Sequence, residues 1–477
     1  MVDGTGATAD RELSPAAMSG LRVLGRHPGT PVTLRPDAAA ALLDGSVPEA
    51  VRVLNELVSA GRAWLVPAAD DEPARYTIPE EVLRGARDDD AARAAEADRE
   101  ASVRRLAGWY LHGAVRADRA VNAFRKRFGP LYRDRRAGEP VGDGWSGVSA
   151  GLDWLESERH NLRACVEYAG AQAWHDLAWQ LCEALYGLYI TRRHYDDWIA
   201  THTVGLNAAT ALGDAGAQYQ IAAQLAYAYT EQRDFARAQP VLEHALRAGR
   251  ATRLHVHEAA ALEALGSARL AAGEYPAAIT YLTQARALYT VIDSAHGMGR
   301  TSYEIGRARV RLGAFSGAIA QFRSAHALFG RVGDVTDQAR VLISTGEALL
   351  LSGDPAQARR PLAQARKILA RLGRRFHEAV ALDLLGLAAQ HCGDIPAARE
   401  FLSEAVDGYE RTGSERAAAL RARLAELPDP GPDAPWPQHP SEPDPDDPDG
   451  PDAAGFPGPP GAAAAPPPGT PAPQPQP

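Results

Sequence analysis

The chain has 477 residues, 45% of them hydrophobic, and a net charge of -9 at pH 7. That length supplies buried cores for two or three ordinary domains, while the acidic balance gives no whole-molecule attraction to nucleic acid or anionic lipid, so any such contact rests on a local patch. Cys165, Cys182 and Cys392 are too few and too scattered for a disulfide framework or a zinc site, and the absence of a basic-then-apolar leader or an eighteen-residue apolar run predicts a cytoplasmic protein that does not touch the membrane.

Residues 1–12 read as a disordered N-terminus. Over residues 13–90, "LSPAAMSGLRVLG", "RPDAAAALL" and "VPEAVRVLNELVSAG" predict three short helices, and "AWLVP" and "RYTIP", joined by the acidic "AADDEPA", predict a two-stranded hairpin. Three helices and a hairpin form a winged-helix pattern, with the Pro48 to Ala60 helix in the recognition position of a DNA reader. Its charges oppose that role: Arg52 stands beside Glu49 and Glu56, and the wing carries Asp70, Asp71 and Glu72 where phosphate contact needs cations. A structural or regulatory winged helix is the expectation, and nucleic acid is not an expected partner.

Residues 91–176 predict a helical connector. A long helical stretch, "PEEVLRGARDDDAARAAEADREASVRRLAGWYLHGAVRADRAVNAFRKRF", runs into it from Pro79, followed by a loop and a further helix, "GLDWLESERHNLRACVEYAG".

From residue 177 to 427 the chain repeats every forty residues. Gly266, Gly306, Gly346 and Gly386 form one column, with Ala226 before them; Gly273, Gly313, Gly353 and Gly393 form a second. Two alanine columns accompany them, Ala238, Ala278, Ala318, Ala358 and Ala398, and Ala245, Ala285, Ala325, Ala365 and Ala405. Glycine inside a helix costs about 1 kcal/mol relative to alanine, so the first column predicts the close approach of a neighbouring helix. The second predicts a left-handed C-cap before the next helix, and Asp214 and Asp334 are placed to N-cap the helices that begin just after them. Each unit is therefore a helix, a tight turn and a helix, six in all from about Leu177 to Thr412, with "SERAAALRARLAEL" as a capping helix.

Leu265, Gly266, Gly273, Tyr275, Ala278, Leu282 and Ala285 match the spacing of the tetratricopeptide repeat, lengthened by six residues. The resemblance implies an all-α fold, a right-handed α-solenoid whose concave groove is lined by the first helix of each unit. Its lining slots hold Tyr227, Thr230 and Glu231, then Glu263, Ser267 and Leu270, then Arg300, Tyr303, Arg307 and Arg311, then Arg340, Ile343 and Glu347. Arg300, Arg307, Arg311 and Arg340 beside Tyr303 and Tyr227 suggest a strip that grips the carboxylates of a peptide segment. The plainer reading of the same residues is a hydrated face balanced by Glu304 and neighbouring acids.

The order of winged helix, "WYLHGAVRADRA", "LDWLESERHNL" and forty-residue repeats resembles the C-terminal half of actinobacterial NB-ARC/tetratricopeptide regulators of the STAND type, over about residues 13 to 420. The prevalence of arginine over lysine suits the same source. In that family a nucleotide-binding module precedes the winged helix, but this sequence contains no G-x-x-x-x-G-K-[ST]. ATPase activity is therefore not carried over, and the chain is either a stand-alone sensor and scaffold or a fragment served by a separate nucleotide-binding protein.

No catalytic motif is present, and neither an enzyme activity nor a cofactor is expected. "HVHEAA", with His255, His257 and Glu258, reads as a loop and helix start, and Asp196 and Asp197 read as helix caps. Arg125, Lys126, Arg127, Arg133, Arg135 and Arg136 read as solvated or internally satisfied, with a phosphate contact as the secondary reading. From Pro428 to the end, more than half of the 35 prolines gather with acidic residues and without Lys or Arg, which predicts a disordered tail. Function is expected to be capture of a protein or peptide partner. The alternative is a DNA-binding transcriptional regulator with the repeats as its sensor.

Overall fold

The computed structural model describes residues 12–29, 32–66, 74–121, 127–133 and 147–428. The tail beyond Pro428, the acidic turn Asp70, Asp71 and Glu72, and Arg125, Lys126, Arg135 and Arg136 lie outside the described residues. The chain divides into two compact units, Met1–Ala248 and Gly249–Pro477.

The first unit opens with α1 (Pro15–Leu24), β1 (Val32–Leu34), α2 (Pro36–Leu43), α3 (Val47–Ser59), β2 (Trp64–Val66) and β3 (Arg75–Ile78). Ser14 caps α1 by accepting the Ala17 N–H, and a reciprocal Ser46/Glu49 capping box starts α3. The predicted hairpin is present as β2 and β3, and β1 adds a strand to its other side, giving an antiparallel sheet of order β1-β3-β2. Thr33 pairs with Thr77, and their hydroxyls lie 2.8 Å apart. Three residues of β1 between two prolines are too short for periodicity to reveal.

The single long helix expected next is two, α4 (Glu80–Arg93) and α5 (Glu96–Val121), broken at Ala94. The break is fixed from a distance. Arg26 donates to both oxygens of the buried Asp90 at 2.9 and 2.8 Å, and also to Ser102 Oγ at 2.7 Å, so one guanidinium holds the end of α4 to the start of α5. After α6 (Pro130–Arg133), the stretch expected as one helix is interrupted at Glu158, between α7 (Val148–Ser157) and α8 (Arg159–Ala171). Glu158 is fully buried. It pairs with Arg75 of β3 and accepts from Tyr110 Oη at 3.1 Å and Asn161 Nδ2 at 2.9 Å, while Asn161 also donates to the Thr33 carbonyl of β1. This satisfied polar node joins sheet, α5 and α8.

The helices then come in pairs: α9 (His175–Arg192) with α10 (Tyr195–Leu212), and α11 (Ala215–Glu231) with α12 (Phe235–Ala251). The second unit continues with α13 (His255–Ala271), α14 (Tyr275–Val291), α15 (Ala295–Arg311), α16 (Phe315–Arg331), α17 (Val335–Leu351), α18 (Pro355–Arg371), α19 (Arg375–His391), α20 (Ile395–Arg411) and the final α21 (Arg416–Glu426). From α13 to α21 each helix packs on the next. Every helix from α11 to α20 has 17 residues.

The glycine column works by close approach. A Cβ on Gly306 would come within 2.4 Å of the Phe322 ring, and Gly266, Gly346 and Gly386 face Leu282, Leu362 and Leu402 at 2.5, 2.4 and 2.6 Å. Ala278, Ala318, Ala358 and Ala398, one turn before those large residues, are wholly buried, so the second helix seats itself against the first through a small residue and a large one. The turns hold the other column. Positive φ recurs at 173, 193, 213 and every twentieth residue to 413, on glycine at Gly213, Gly273, Gly313 and beyond but on Ala173, Arg193, Arg233, Arg253 and Asp293 elsewhere. Asp214 and Asp334 cap their helices, accepting the N–H of Ala217 and Asp337 respectively.

Candidate functional site

In the second unit, α15 carries Arg300, Tyr303, Arg307 and Arg311 at three- and four-residue spacing, hence on one face. They differ in what they are free to do. Arg300 Nη2 lies 2.7 Å from Oε1 of Glu263, a carboxylate only 1% exposed, whose other oxygen accepts from Tyr289 Oη at 2.8 Å. Burial works against the Arg300 charge, but Glu263, together with Tyr289, Glu304 and Asp337, outweighs it and holds the guanidinium more firmly protonated than usual. Arg300 is thus engaged inside the fold.

Tyr303 is buried and forms the centre of the face. Its ring leans on Phe322, centroids 5.8 Å apart, and its hydroxyl lies 3.3 Å from Ser344 Oγ of α17. The Arg340 guanidinium lies 4.9 Å from its centroid and that of Arg307 5.8 Å, so two cations flank one aromatic ring. Arg307 is half exposed and takes an i,i+3 pair with Glu304 at 3.1 Å; Arg340, 40% exposed, pairs with Asp337 at 2.6 Å. Arg311 is exposed, with its Nε donating to Tyr275 Oη at 3.1 Å, and Glu347 is exposed on α17. Among the other slot residues, Ile343 packs against the core instead of presenting a contact surface.

Tyr227 lies in the first unit, 6.0 Å from the fully buried Trp198 ring, which also stacks with Tyr189 and Tyr195. Burial, reinforced by Glu231, pushes its hydroxyl up to about 12.

The counter-charges are not apparent from the groove slots alone. Glu263 occupies a slot but serves as a buried partner, and Asp337 lies outside every slot. A signal exists: Arg300 follows Glu263 by the same interval as Arg340 follows Tyr303, so in a forty-residue repeat that offset marks residues facing each other across neighbouring first helices.

The remaining candidates fall into structural roles. His257 is buried at the start of α13 with Nδ1 2.9 Å from Thr252 Oγ1, and Glu258 pairs with Arg250. Asp197 is not a cap. It is buried beneath α8, receiving Arg159 and, at 2.6 Å, Arg163; burial opposes its ionisation, but those hydrogen bonds outweigh it and hold the carboxyl below its usual range. Arg127 of the basic cluster pairs with the buried Asp118 at 2.6 Å, and Arg133 is exposed. The N–H groups of Phe128 and Gly129 in the same loop donate to the buried Glu183 at 2.7 and 2.8 Å. Burial raises the thiols of Cys165 and Cys182, and Cys392 is exposed. No helix among the described residues is long and apolar enough to cross a membrane.

No protein-family model matches the sequence, and no curated protein matches it. Solved structures do. A Signal Transduction ATPase with Numerous Domains (STAND) protein with a tetratricopeptide repeat sensor, from Pyrococcus horikoshii, superposes with a TM-score of 0.50 at 14% identity, over 87% of this chain and 53% of that one. The present chain thus spans about half the length of that protein. BtubC from P. vanneervenii gives 0.42 at 17% identity over 50% of this chain and 96% of its own, and aspartyl phosphate phosphatase F from Bacillus subtilis gives 0.43 at 12% over 88% and 96%. At 14% identity the likeness to the STAND protein is one of fold: the chain is an all-α, tetratricopeptide-like α-solenoid.

Proposed function

We propose that the protein is a non-enzymatic, cytoplasmic interaction protein that captures an acidic peptide segment of a protein partner on the face shared by α15 and α17. The observation that carries this reading is the flanking of Tyr303 by Arg307 and Arg340. The ring is held by Phe322 and Ser344, so the two cations sit over a rigid aromatic platform while remaining half open to solvent. Guanidinium forks take carboxylates bidentately, and a pre-ordered ring lowers the entropy lost on binding. Glu263 neutralises Arg300, so recognition falls on Arg307, Arg311 and Arg340, with Glu347 setting register by repelling misplaced acids.

The same reading treats residues 13–90 as a winged helix and the chain as the sensor portion of a STAND-like regulator, working alone or with a separate nucleotide-binding protein. The element order and the β1-β3-β2 sheet support the winged helix. Its α3 supports a structural role over DNA reading: Glu49 closes the capping box, Arg52 faces it, and Glu56 accepts from Ser14.

The test is fluorescence anisotropy with a labelled peptide of residues 441–450, "SEPDPDDPDG", against the full chain and an Arg307→Ala/Arg311→Ala double variant. Binding weakened at least about ten-fold in the variant, with unchanged helicity, is the expected result. Equal affinity, or no binding to the wild type at about 100 μM, a binding free energy of about -5.5 kcal/mol, removes the acidic-segment reading.

A further inference from the structure

His296, near the start of α15, and Asp334 and Asp337, at the start of α17, converge although nearly a full repeat separates them in sequence. His296 Nε2 is 3.4 Å from Asp334 Oδ2 and 4.0 Å from Asp337 Oδ2, and one donor atom from each residue lies within 4.8 Å of the others. Among the described residues this is the one such group of three.

Two features separate it from an ordinary surface cluster. Asp337 is 1% exposed, and its Oδ2 makes no hydrogen bond; its closest charged contact is Arg340 at 2.6 Å, on Oδ1. A buried carboxylate oxygen without a partner is costly and uncommon. The repeat does not demand an acid there, because the matching position of the other first helices holds Ala217, His257, Gly297 and His377. Asp334, meanwhile, caps α17 by accepting the Asp337 N–H at 2.9 Å through Oδ1, which turns Oδ2 toward the imidazole.

We propose that His296, Asp334 and Asp337 bind a divalent transition-metal ion of the zinc class, which clips the start of α15 to the start of α17 and so fixes two consecutive repeats. One imidazole and two carboxylates suit zinc better than the all-oxygen sets of calcium or magnesium. Bonds of about 2.0–2.1 Å in a tetrahedron place donors about 3.3 Å apart. The observed 3.4 Å pair meets that spacing, and the 4.0 Å pair meets it after a side-chain shift of less than an ångström. Arg340, on the outer oxygen of Asp337 and against the Tyr303 ring, is the orienting partner that ligating carboxylates use. The site shares Arg340 with the peptide-capture face, but its three ligands lie at the starts of the two helices, and the Arg307→Ala/Arg311→Ala variant that tests peptide capture leaves all three in place.

Full-length, tag-free protein stripped with a chelator and dialysed is titrated with zinc chloride alone by calorimetry. One site with a Kd of about 10 μM or tighter is expected, together with a rise in Tm on zinc addition. Asp337→Asn and His296→Gln should each weaken that site at least about ten-fold. Circular dichroism checks folding, and should the buried Asp337→Asn variant fail to fold, the part-exposed His296→Gln decides. No zinc binding at about 100 μM, variants that bind as the wild type does, or tighter binding of calcium or magnesium at the same residues would each overturn the assignment.

Discussion

The ring of Phe322 occupies the space that a side chain on Gly306 would need, with Cε1 2.4 Å from the site of the missing Cβ. Helix propensity favours alanine over glycine by about 1 kcal/mol, but here the added methyl has no room. Gly306→Ala is expected to destabilise the second unit by about 1–3 kcal/mol through overpacking. Gly85, in α4, has nothing within 4 Å of its would-be Cβ, so Gly85→Ala should instead stabilise by up to about 1 kcal/mol. Urea unfolding of the two variants beside the wild type measures both, and destabilisation by both would refute the distinction.

Arg253 adopts φ of +58°, a conformation that an L side chain disfavours by about 1–2 kcal/mol. The equivalent turns at Gly273 and Gly313 use glycine. Arg253→Gly should therefore raise Tm, with a net gain of about 1 kcal/mol after the greater freedom of glycine in the unfolded chain is counted. Gly273→Ala should lower it. Thermal unfolding followed by circular dichroism reads both signs.

Removing the carboxylate of Glu263 strands Arg300 in a mostly buried site. Glu263→Gln is expected to cost about 2–4 kcal/mol, and Arg300→Met in the same background should recover part of the loss, because the two side chains form one unit. A double-mutant cycle measures their coupling, and additive losses would show that the pair contributes nothing beyond its parts.

Asp197 makes a pH-dependent contribution of known sign. Its folded carboxyl is held below the ordinary 3.8 by Arg163 and Arg159 against the opposing effect of burial. The stabilisation is thus complete above the unfolded value and is lost as pH falls through the lower, folded one. Asp197→Asn should cost about 2 kcal/mol at pH 7, and the gap to the wild type should narrow below about pH 4. A gap that stays constant from about pH 7 to about pH 3 would mean that the ion pairs add nothing.

The repeats are legible in the sequence because their signals are local and periodic. Gly306 and Ala318 announce a helix contact by their smallness, and Gly313 announces a turn. Contacts between residues far apart in sequence and outside any period leave no such mark. Arg26 breaks the helix at Ala94 from more than sixty residues away, and Glu158 interrupts another because Arg75, Tyr110 and Asn161 converge on it. Asp197 resembles a cap because its neighbours along the chain are those of a helix start; its partners lie on α8. On the candidate face, arginine content is visible, but the distinction between the engaged Arg300 and the half-open Arg307 and Arg340 depends on which acids stand one repeat away.

The left-handed turns from Ala173 to Gly413 keep a fixed beat of twenty residues through ten consecutive helices of equal length. Such a chain has something like a reading frame. Excision or duplication of a forty-residue stretch leaves every later first helix a first helix, whereas a change of twenty exchanges the two kinds and sets Arg286, His326 and Arg366 where glycine is required. A lineage carrying this array is therefore free to lengthen or shorten it in whole forty-residue steps and in no smaller ones, and engineers who wish to resize it inherit the same rule.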